Sequence, residues 1–132
     1  MKIKIFALTH KKFEVPQDKM YQPLQVGREE KEDLGYLCDN TGDNISAENC
    51  YYSELTGLYW IWKNVHTYKY VGTCHYRRYL LNEQEKIFTE AEYLELLKDY
   101  DLITTKRVVL NNSYHYGFAT NHNIHALDMT GE

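Results

Sequence analysis

The segment 75–78, His-Tyr-Arg-Arg, holds the side chains best suited to chemistry in this sequence. The guanidinium groups of Arg77 and Arg78 stay charged near pH 7, and their forks of N–H donors match phosphate or diphosphate oxygens. On an extended chain, His75 and Arg77 would point to one side and Arg78 to the other. We therefore interpret the segment as an anion-binding site.

Three acidic residues are candidates for the partners of the two arginines. Glu54 lies beside the apolar stripe of a predicted helix, so an arginine of the 75–78 segment is its expected partner. Asp39 and Asp43 belong to a polar loop just before that helix. A purely structural network of these carboxylates with the arginines stays open as the alternative.

Two polar loops are the other candidate ligand-binding segments. Thr9 and His10 follow residues 2–8, where Lys and Ile alternate before the chain turns fully apolar, as in a strand entering a sheet. The loop 39–44 consists of turn-forming residues and leads to Ser46, a predicted helix N-cap, where backbone N–H groups favour anions. A solvated loop or a capped turn explains either segment equally well. The full candidate ligand-binding set is Thr9, His10, Asp39, Asn40, Asn44, His75, Arg77 and Arg78.

The elements that must position these residues alternate between strand and helix. After the first strand, the apolar spacing predicts a helix over 47–64 and a strand over 68–74. A second helix begins at Thr89, which forms a capping box with Glu92, and residues 101–105 read as a further strand. This order predicts an α/β fold with a mostly parallel sheet and covering helices, whose ligand site lies at the carboxyl ends of the strands.

Two details refine this prediction. Gly57 lies in the middle of the predicted central helix, where glycine is unfavourable, so we expect a close packing contact there. Phe88 is expected to pack on Tyr93 as a hydrophobic staple. The stretch 21–27 is only weakly apolar, and Pro23 limits it to extended or turn geometry.

Composition narrows the classes of protein and of site. One domain is expected from 132 residues, and a net charge of −4 argues against a general nucleic-acid binder. Three cysteines without a secretory signal indicate a reducing, cytoplasmic setting, and no apolar run is long enough to cross a bilayer. Zinc is not favoured, because the sequence lacks a CxxC pair and His122-x-x-His125 alone is weak support. A Cys74–His75 nucleophile pair is also disfavoured, since neighbours on a strand face opposite sides.

Three segments together resemble a known family. They are 39–46, Asp-Asn-Thr-Gly-Asp-Asn-Ile-Ser; 54–64, Glu-Leu-Thr-Gly-Leu-Tyr-Trp-Ile-Trp-Lys-Asn; and 72–79, Gly-Thr-Cys-His-Tyr-Arg-Arg-Tyr. In this order and spacing they resemble the DUF4422 family of bacterial surface-polysaccharide proteins, with a likeness that runs from residue 3 to about residue 123. Members are usually taken to be glycosyltransferases of capsule, O-antigen or exopolysaccharide assembly, and some resemble galactofuranosyltransferases.

The resemblance implies a GT-A-like, Rossmann-like fold and a nucleotide-sugar donor. It also implies a saccharide or lipid-linked saccharide acceptor, which would bring the protein to the cytoplasmic face of the inner membrane. The family's domain is longer than this chain, so residues 1–132 are expected to be the N-terminal part of one domain. Many GT-A enzymes hold Mg²⁺ or Mn²⁺ through an Asp-x-Asp motif. Here the matching strand end carries the 75–78 segment, so we expect arginine charge to replace the metal.

Glycosyl transfer, which the resemblance implies, also needs a base for the acceptor hydroxyl. Glu54, Asp39 and Asp43 are the candidates for it, and Glu54 and Asp43 are the predicted catalytic residues.

Three functions follow from these observations. The first is a glycosyltransferase, or its N-terminal part. The second is a non-catalytic module that binds a nucleotide or a partner subunit. The third is an RNA-binding domain whose tyrosine and arginine planes stack on bases, which the acidic total disfavours.

Overall fold

A computed structural model describes residues 2–107 and 109 and shows a four-stranded, all-parallel sheet in the order β3-β2-β1-β4. The strands are β1 (Ile3–Thr9), β2 (Tyr21–Gln25), β3 (Leu37–Cys38) and β4 (Tyr70–His75). The helices are α1 (Asn49–Tyr52), α2 (Leu55–Asn64) and α3 (Glu90–Leu96), with 3-10 turns at Arg28–Glu30 and Ser46–Glu48. The predicted α/β class and parallel sheet are confirmed.

Strand β1 is the centre of the sheet because it is apolar on both faces. Nearly all of its residues are buried, and it pairs in parallel with β2 on one side and with β4 on the other. Such continuous burial is typical of a parallel strand with helices on both faces. Leu8 is aligned with Leu24 of β2 and with His75 of β4, so the carboxyl ends of β1 and β4 lie side by side.

The two faces of the sheet carry separate apolar clusters. Residues at alternate positions of a strand point to opposite faces, which sends Phe6 and Leu8 one way and Ile3 and Ile5 the other. The first cluster lies under α2 and contains Phe6, Leu8, Leu24, Val26, Trp60 and Ile61. The second contains Ile3, Ile5, Met20, Tyr21 and Tyr93, with Tyr93 contributed by α3. The helices therefore sandwich the sheet.

One stretch that the sequence left open between extended and turn geometry is a strand, and one predicted strand is wrong. The stretch 21–27 contains β2, despite Pro23, because its Tyr21, Leu24 and Val26 are buried against β1 and the covering helices. The strand predicted over 101–105 is wrong, since these residues form no ladder. Ile103 packs on the second cluster while Leu102 is 78% exposed, so the apolar residues here serve packing or remain on the surface.

The central helix predicted over 47–64 is interrupted at Ser53. This residue has a φ of 54° and a ψ of −129°, which ends α1 before α2 begins. The side-chain amide of Asn49 holds the break, because its Nδ2 donates to the carbonyl of Ser53 at 2.7 Å and to Thr56 Oγ1 at 3.1 Å. The prediction of one continuous helix is therefore wrong, and the break fixes where Glu54 starts α2.

Two local predictions for α3 are confirmed. The capping box between Thr89 and Glu92 is present, with the Thr89 hydroxyl accepting from the Glu92 N–H and the Glu92 carboxylate accepting from the Thr89 N–H. The rings of Phe88 and Tyr93 are stacked, with centroids 4.9 Å apart. No helix within residues 2–107 is long and apolar enough to cross a membrane. The three cysteines carry free thiols.

Gly57 makes the close contact that the sequence predicts. A Cβ at this position would lie 2.7 Å from Val26 Cγ1 and 3.0 Å from Leu8 Cδ2. Both atoms belong to the first cluster, so α2 packs directly on the sheet at this point.

We expect Gly57→Ala to lower the free energy of unfolding by about 1–2 kcal/mol, because overpacking outweighs the gain of about 1 kcal/mol in helix propensity. Urea unfolding measures this change. Gly72→Ala is the matched control, since its Cβ would meet Ile5 Cγ1 at an ordinary 3.4 Å. Equal stability of Gly57→Ala and the native protein would contradict the close packing.

The ionisable side chains in and against the second cluster, Cys74, Tyr79 and Tyr93, lead us to expect that the protein loses stability in alkali. Burial raises the pKa of Cys74 from its ordinary 9.0 to about 12, and burial raises the pKa of Tyr79 and of Tyr93 from 10.0 to about 12. Between these values the unfolded chain has released protons that the native protein keeps. Stability is therefore fully present below about pH 9 and declines as the pH rises toward 12.

Urea unfolding at several pH values measures this decline. Tyr79→Phe should make it shallower, because one buried proton no longer contributes. Tyr100→Phe is the control, since Tyr100 is 62% exposed. A pH dependence that is identical in the two variants would contradict the assignment.

Candidate functional site

The order of the strands reverses between β1 and β4. The chain runs from β1 to β2 and β3 on one side, and then crosses to β4 on the other side of β1. In open parallel sheets, ligands bind outside the carboxyl ends of strands at such a switch point. A crevice of about 840 Å³ lies there. Its polar lining consists of Thr9, His10, Lys31, Asn49, Tyr52, Ser53, Glu54, His75, Arg77 and Arg78.

A tight turn at the end of β4 brings His75, Arg77 and Arg78 to this crevice. The Arg78 N–H donates to the carbonyl of His75 at 2.9 Å, and the Tyr76 N–H donates to the carbonyl of Leu8 at 3.1 Å. Tyr76 is buried by this anchoring, whereas both arginines are exposed. The sequence prediction that His75 and Arg77 face away from Arg78 is wrong, because the backbone turns here instead of staying extended.

The crevice is a region of positive potential. Burial lowers the pKa of His10, and the charges of Lys31 and Lys11 lower it further. His75 and Arg77 act in the same direction. Within the described residues, neither Arg77 nor Arg78 forms an ion pair with a carboxylate. The described residues therefore do not show the alternative, a structural network in which carboxylates pair with both arginines. Both arginines instead line the crevice.

Glu54 pairs with a histidine instead of an arginine. His75 Nε2 lies 3.4 Å from Glu54 Oε1, with 22% and 44% of the two side chains exposed. The prediction that an arginine pairs with Glu54 is wrong. His75, the last residue of β4, lies next to the start of α2, whereas the arginines lie in the turn that follows β4. Glu54 is thus held at the crevice with much of its carboxylate accessible.

Thr9 and His10 reach the crevice in different ways. Thr9 is 1% exposed, and its hydroxyl accepts from the Lys11 N–H at 3.1 Å, so it shapes the loop after β1. His10 is exposed, and its ring meets Tyr76 edge to face with centroids 5.4 Å apart. Of this pair, His10 is the side chain available to a ligand.

Asp39 is a structural carboxylate, so its prediction as a ligand-binding residue is corrected. It is 0% exposed, and its Oδ2 accepts from the Gly27 N–H at 2.8 Å and from Thr56 Oγ1 at 2.7 Å. Its Oδ1 accepts from the Arg28 N–H at 3.1 Å and from Ser46 Oγ at 2.6 Å. Both carboxylate oxygens are therefore occupied by protein donors, and no surface of Asp39 is left for a ligand. Asp39 instead joins the loop after β2 to the start of α2.

The rest of the 39–46 loop also serves structure. The side chain of Asn44 accepts from the Ser46 N–H at 3.1 Å, and Asp43 Oδ1 accepts from the Tyr59 hydroxyl at 2.9 Å. Ser46 is not the predicted N-cap, since its hydroxyl binds Asp39 and it lies inside the 3-10 turn. Asn40, Asp43 and Asn44 do not line the crevice, so the structure brings none of them to Arg77.

Four polar residues of the crevice lie outside the set that the sequence predicts: Lys31, Asn49, Tyr52 and Ser53. Lys31 follows β2, and because the sequence pattern does not reveal this strand, nothing marks Lys31 as lying near a strand end. Asn49, Tyr52 and Ser53 fall inside the helix that the sequence predicts to be continuous. The Asn-x-x-x-Ser spacing of residues 49–53 belongs to the break, but helical periodicity does not distinguish it from ordinary helix.

The strand order, the crevice and its charge define a class: an α/β protein with a basic crevice at the switch point of a parallel sheet. The chain belongs to the DUF4422 family, described as a domain of unknown function, whose match covers residues 4–132. It is also similar to a solved structure described as the apo form of WbbM, a bifunctional glycosyltransferase. The identity is 42% and the TM-score is 0.58.

This similarity covers 61% of the chain but only 14% of the WbbM chain. The protein described here thus spans a small part of that larger structure. Curated proteins give no match.

The described residues of the crevice do not fit a divalent cation. Glu54 is the one carboxylate in the described lining, and it faces His75. Within residues 2–107, no group of three His, Cys, Asp or Glu side chains is placed to hold a metal ion. His122 and His125 lie outside the described residues. The basic side chains of the crevice favour an anion in place of a cation.

Asp39→Asn should destabilise the protein by about 2–4 kcal/mol, because an amide NH₂ would face N–H and O–H donors in a fully buried position. Thermal or urea unfolding checks this. Asp43→Asn is the matched control, an exposed carboxylate with a single partner, and should change stability little. If both variants unfold alike, Asp39 is not the structural centre that its contacts indicate.

Proposed function

We propose that this chain is the sugar-donor-binding part of a glycosyltransferase, which moves a sugar from a nucleotide-sugar to a growing bacterial surface polysaccharide. The observation that carries the proposal is the pair of exposed guanidinium groups at the switch point of a parallel sheet. Family membership and the similarity to WbbM support the same class of reaction.

The diphosphate of the sugar donor would lie against Arg77 and Arg78. Cleavage of the bond between the sugar and the diphosphate leaves negative charge on the departing nucleoside diphosphate. Fixed cations stabilise such developing charge without the need to reorganise during the reaction. The arginines would thus perform the task that a divalent metal performs in many GT-A enzymes.

The nucleoside would lie over the carboxyl end of β1, beside His10. The exposed imidazole and the buried Tyr76 behind it give this end of the crevice an aromatic wall. Thr9 contributes by fixing the loop that carries His10.

Glu54 is the proposed base. Its carboxylate is 44% exposed at the crevice and would accept the proton of the acceptor hydroxyl as that oxygen bonds to the anomeric carbon. Asp43, the other candidate, is held by Tyr59 away from the crevice. The acceptor is a saccharide or a lipid-linked saccharide, and the reaction takes place on the cytoplasmic side of the inner membrane.

The double substitution Arg77→Ala, Arg78→Ala should weaken binding of UDP or a UDP-sugar by about 10- to 100-fold, as expected for the loss of charge-assisted hydrogen bonds. Isothermal titration calorimetry in the presence of a chelator measures this. Arg107→Ala is the control, an exposed arginine outside the crevice lining, and should bind normally.

Loss of binding upon chelation, with the double variant still binding UDP, would contradict arginine-based recognition. The same titration with a short RNA separates a nucleic-acid binder from a nucleotide-sugar enzyme. Hydrolysis or transfer of the bound UDP-sugar then separates an enzyme from a non-catalytic module.

A further inference from the structure

The two ring nitrogens of His75 have different neighbours: Nδ1 is hydrogen-bonded, and Nε2 lies beside a carboxylate. Its Nδ1 accepts a hydrogen bond from the backbone N–H of Arg77 at 3.1 Å. Its Nε2 lies 3.4 Å from Glu54 Oε1. The same ring therefore contacts the segment that carries the arginines and the carboxylate at the start of α2.

These contacts assign the tautomer of the neutral ring. An Nδ1 that accepts from a backbone N–H carries no proton, so the proton of the neutral ring is on Nε2, the nitrogen that lies 3.4 Å from the Glu54 carboxylate. Neither ring nitrogen is left to take a proton from a substrate. His75 is therefore poorly placed to act as a base and well placed to hold other groups.

The backbone of Glu54 is fixed by the break between α1 and α2, so the neighbours of its side chain decide where the carboxylate lies. Glu54 follows Ser53, whose φ of 54° is unfavourable for a residue other than glycine. Asn49 over-determines this break through its bonds to Ser53 and Thr56. The backbone of Glu54 is thus fixed by the break, while its carboxylate lies beside the ring of His75.

We propose that His75 is a positioning residue that couples the two halves of the site: Nε2–H orients the Glu54 carboxylate, and Nδ1 orients the turn that carries Arg77. The kinetic part of this inference rests on the proposed function, whereas the assigned tautomer does not. It replaces a direct role for His75 in ligand binding with one that acts through its two neighbours.

Two substitutions separate the two contacts. Asparagine places an oxygen near the position of Nδ1, so His75→Asn keeps the acceptor for the Arg77 N–H and loses the contact with Glu54. Glutamine places its amide near the position of Nε2, so His75→Gln keeps the donor to Glu54 and loses the acceptor. The matched controls are His66→Asn and His66→Gln, at an exposed histidine outside the crevice.

Steady-state kinetics with a UDP-sugar should then show that one variant mainly lowers kcat and the other mainly raises KM. We expect His75→Asn to lower kcat by about tenfold or more with little change in KM for the sugar donor, because the base is no longer oriented. His75→Gln should raise that KM by about three- to tenfold with a smaller change in kcat, because the turn of Arg77 is released. The His66 variants should match the native protein.

Imidazole ¹⁵N NMR of the native protein supplies a readout besides activity. An Nε2–H tautomer at His75, whose ring signals shift in Glu54→Gln, supports the inference. An Nδ1–H tautomer overturns it, and so do equal kinetic effects of the two His75 variants. Failure of the native protein to bind any nucleotide or nucleotide-sugar would overturn the proposed function instead, and the tautomer would still decide the role of His75.

Discussion

The buried carboxylate of Asp39 is the interaction on which the rest of the structure depends. It accepts four hydrogen bonds and so fixes the backbone after β2, the 3-10 turn at Ser46–Glu48 and the first turn of α2 in one arrangement. A buried charge is stable only when it is satisfied in this way. Because α2 is fixed at Thr56, Glu54 is fixed two residues before it.

The same constraint explains the packing of α2 on the sheet. Gly57 lets the helix approach Val26 and Leu8, and the helix axis is then set by both the carboxylate and the close contact. The aligned ends of β1 and β4 supply the other side of the crevice. The site is therefore built where two rigid elements meet, and only the turn at 75–78 and the loop after β1 complete it.

The sequence was sufficient for the parts that depend on local patterns. The apolar run of β1, the start signals of α3 and the tight packing at Gly57 were all predicted correctly, since each follows from residue type and spacing. The class of fold and the grouping of His75 with Arg77 and Arg78 at a strand end also followed from the sequence.

The remainder depends on tertiary contacts that no local pattern contains. Strand β2 is stabilised by burial on both faces in spite of Pro23, and the break at Ser53 is held by the side chain of Asn49. Asp39 belongs to a loop whose polar composition is typical of a ligand-binding segment. It is nevertheless buried, because its hydrogen-bond partners come from residues 27, 28, 46 and 56. Which carboxylate faces the crevice could not be read from the polar character of the 39–46 loop.

The chemistry of the crevice follows from an imbalance of charge. The protein as a whole is acidic, yet the described lining of the crevice combines two arginines, a lysine and two histidines with one carboxylate. Such a local excess of cations attracts a small, strongly anionic ligand without creating a general affinity for nucleic acid. A nucleoside diphosphate has the charge and the size that this arrangement suits.

The most direct test of this account is an NMR titration of the native protein with UDP, in which the guanidinium Nε–H signals are followed. The account predicts that the signals of Arg77 and Arg78 shift in parallel and saturate at one equivalent, while those of Arg28 and Arg107 stay in place. Saturable shifts confined to other residues, or no shift at all, would contradict it.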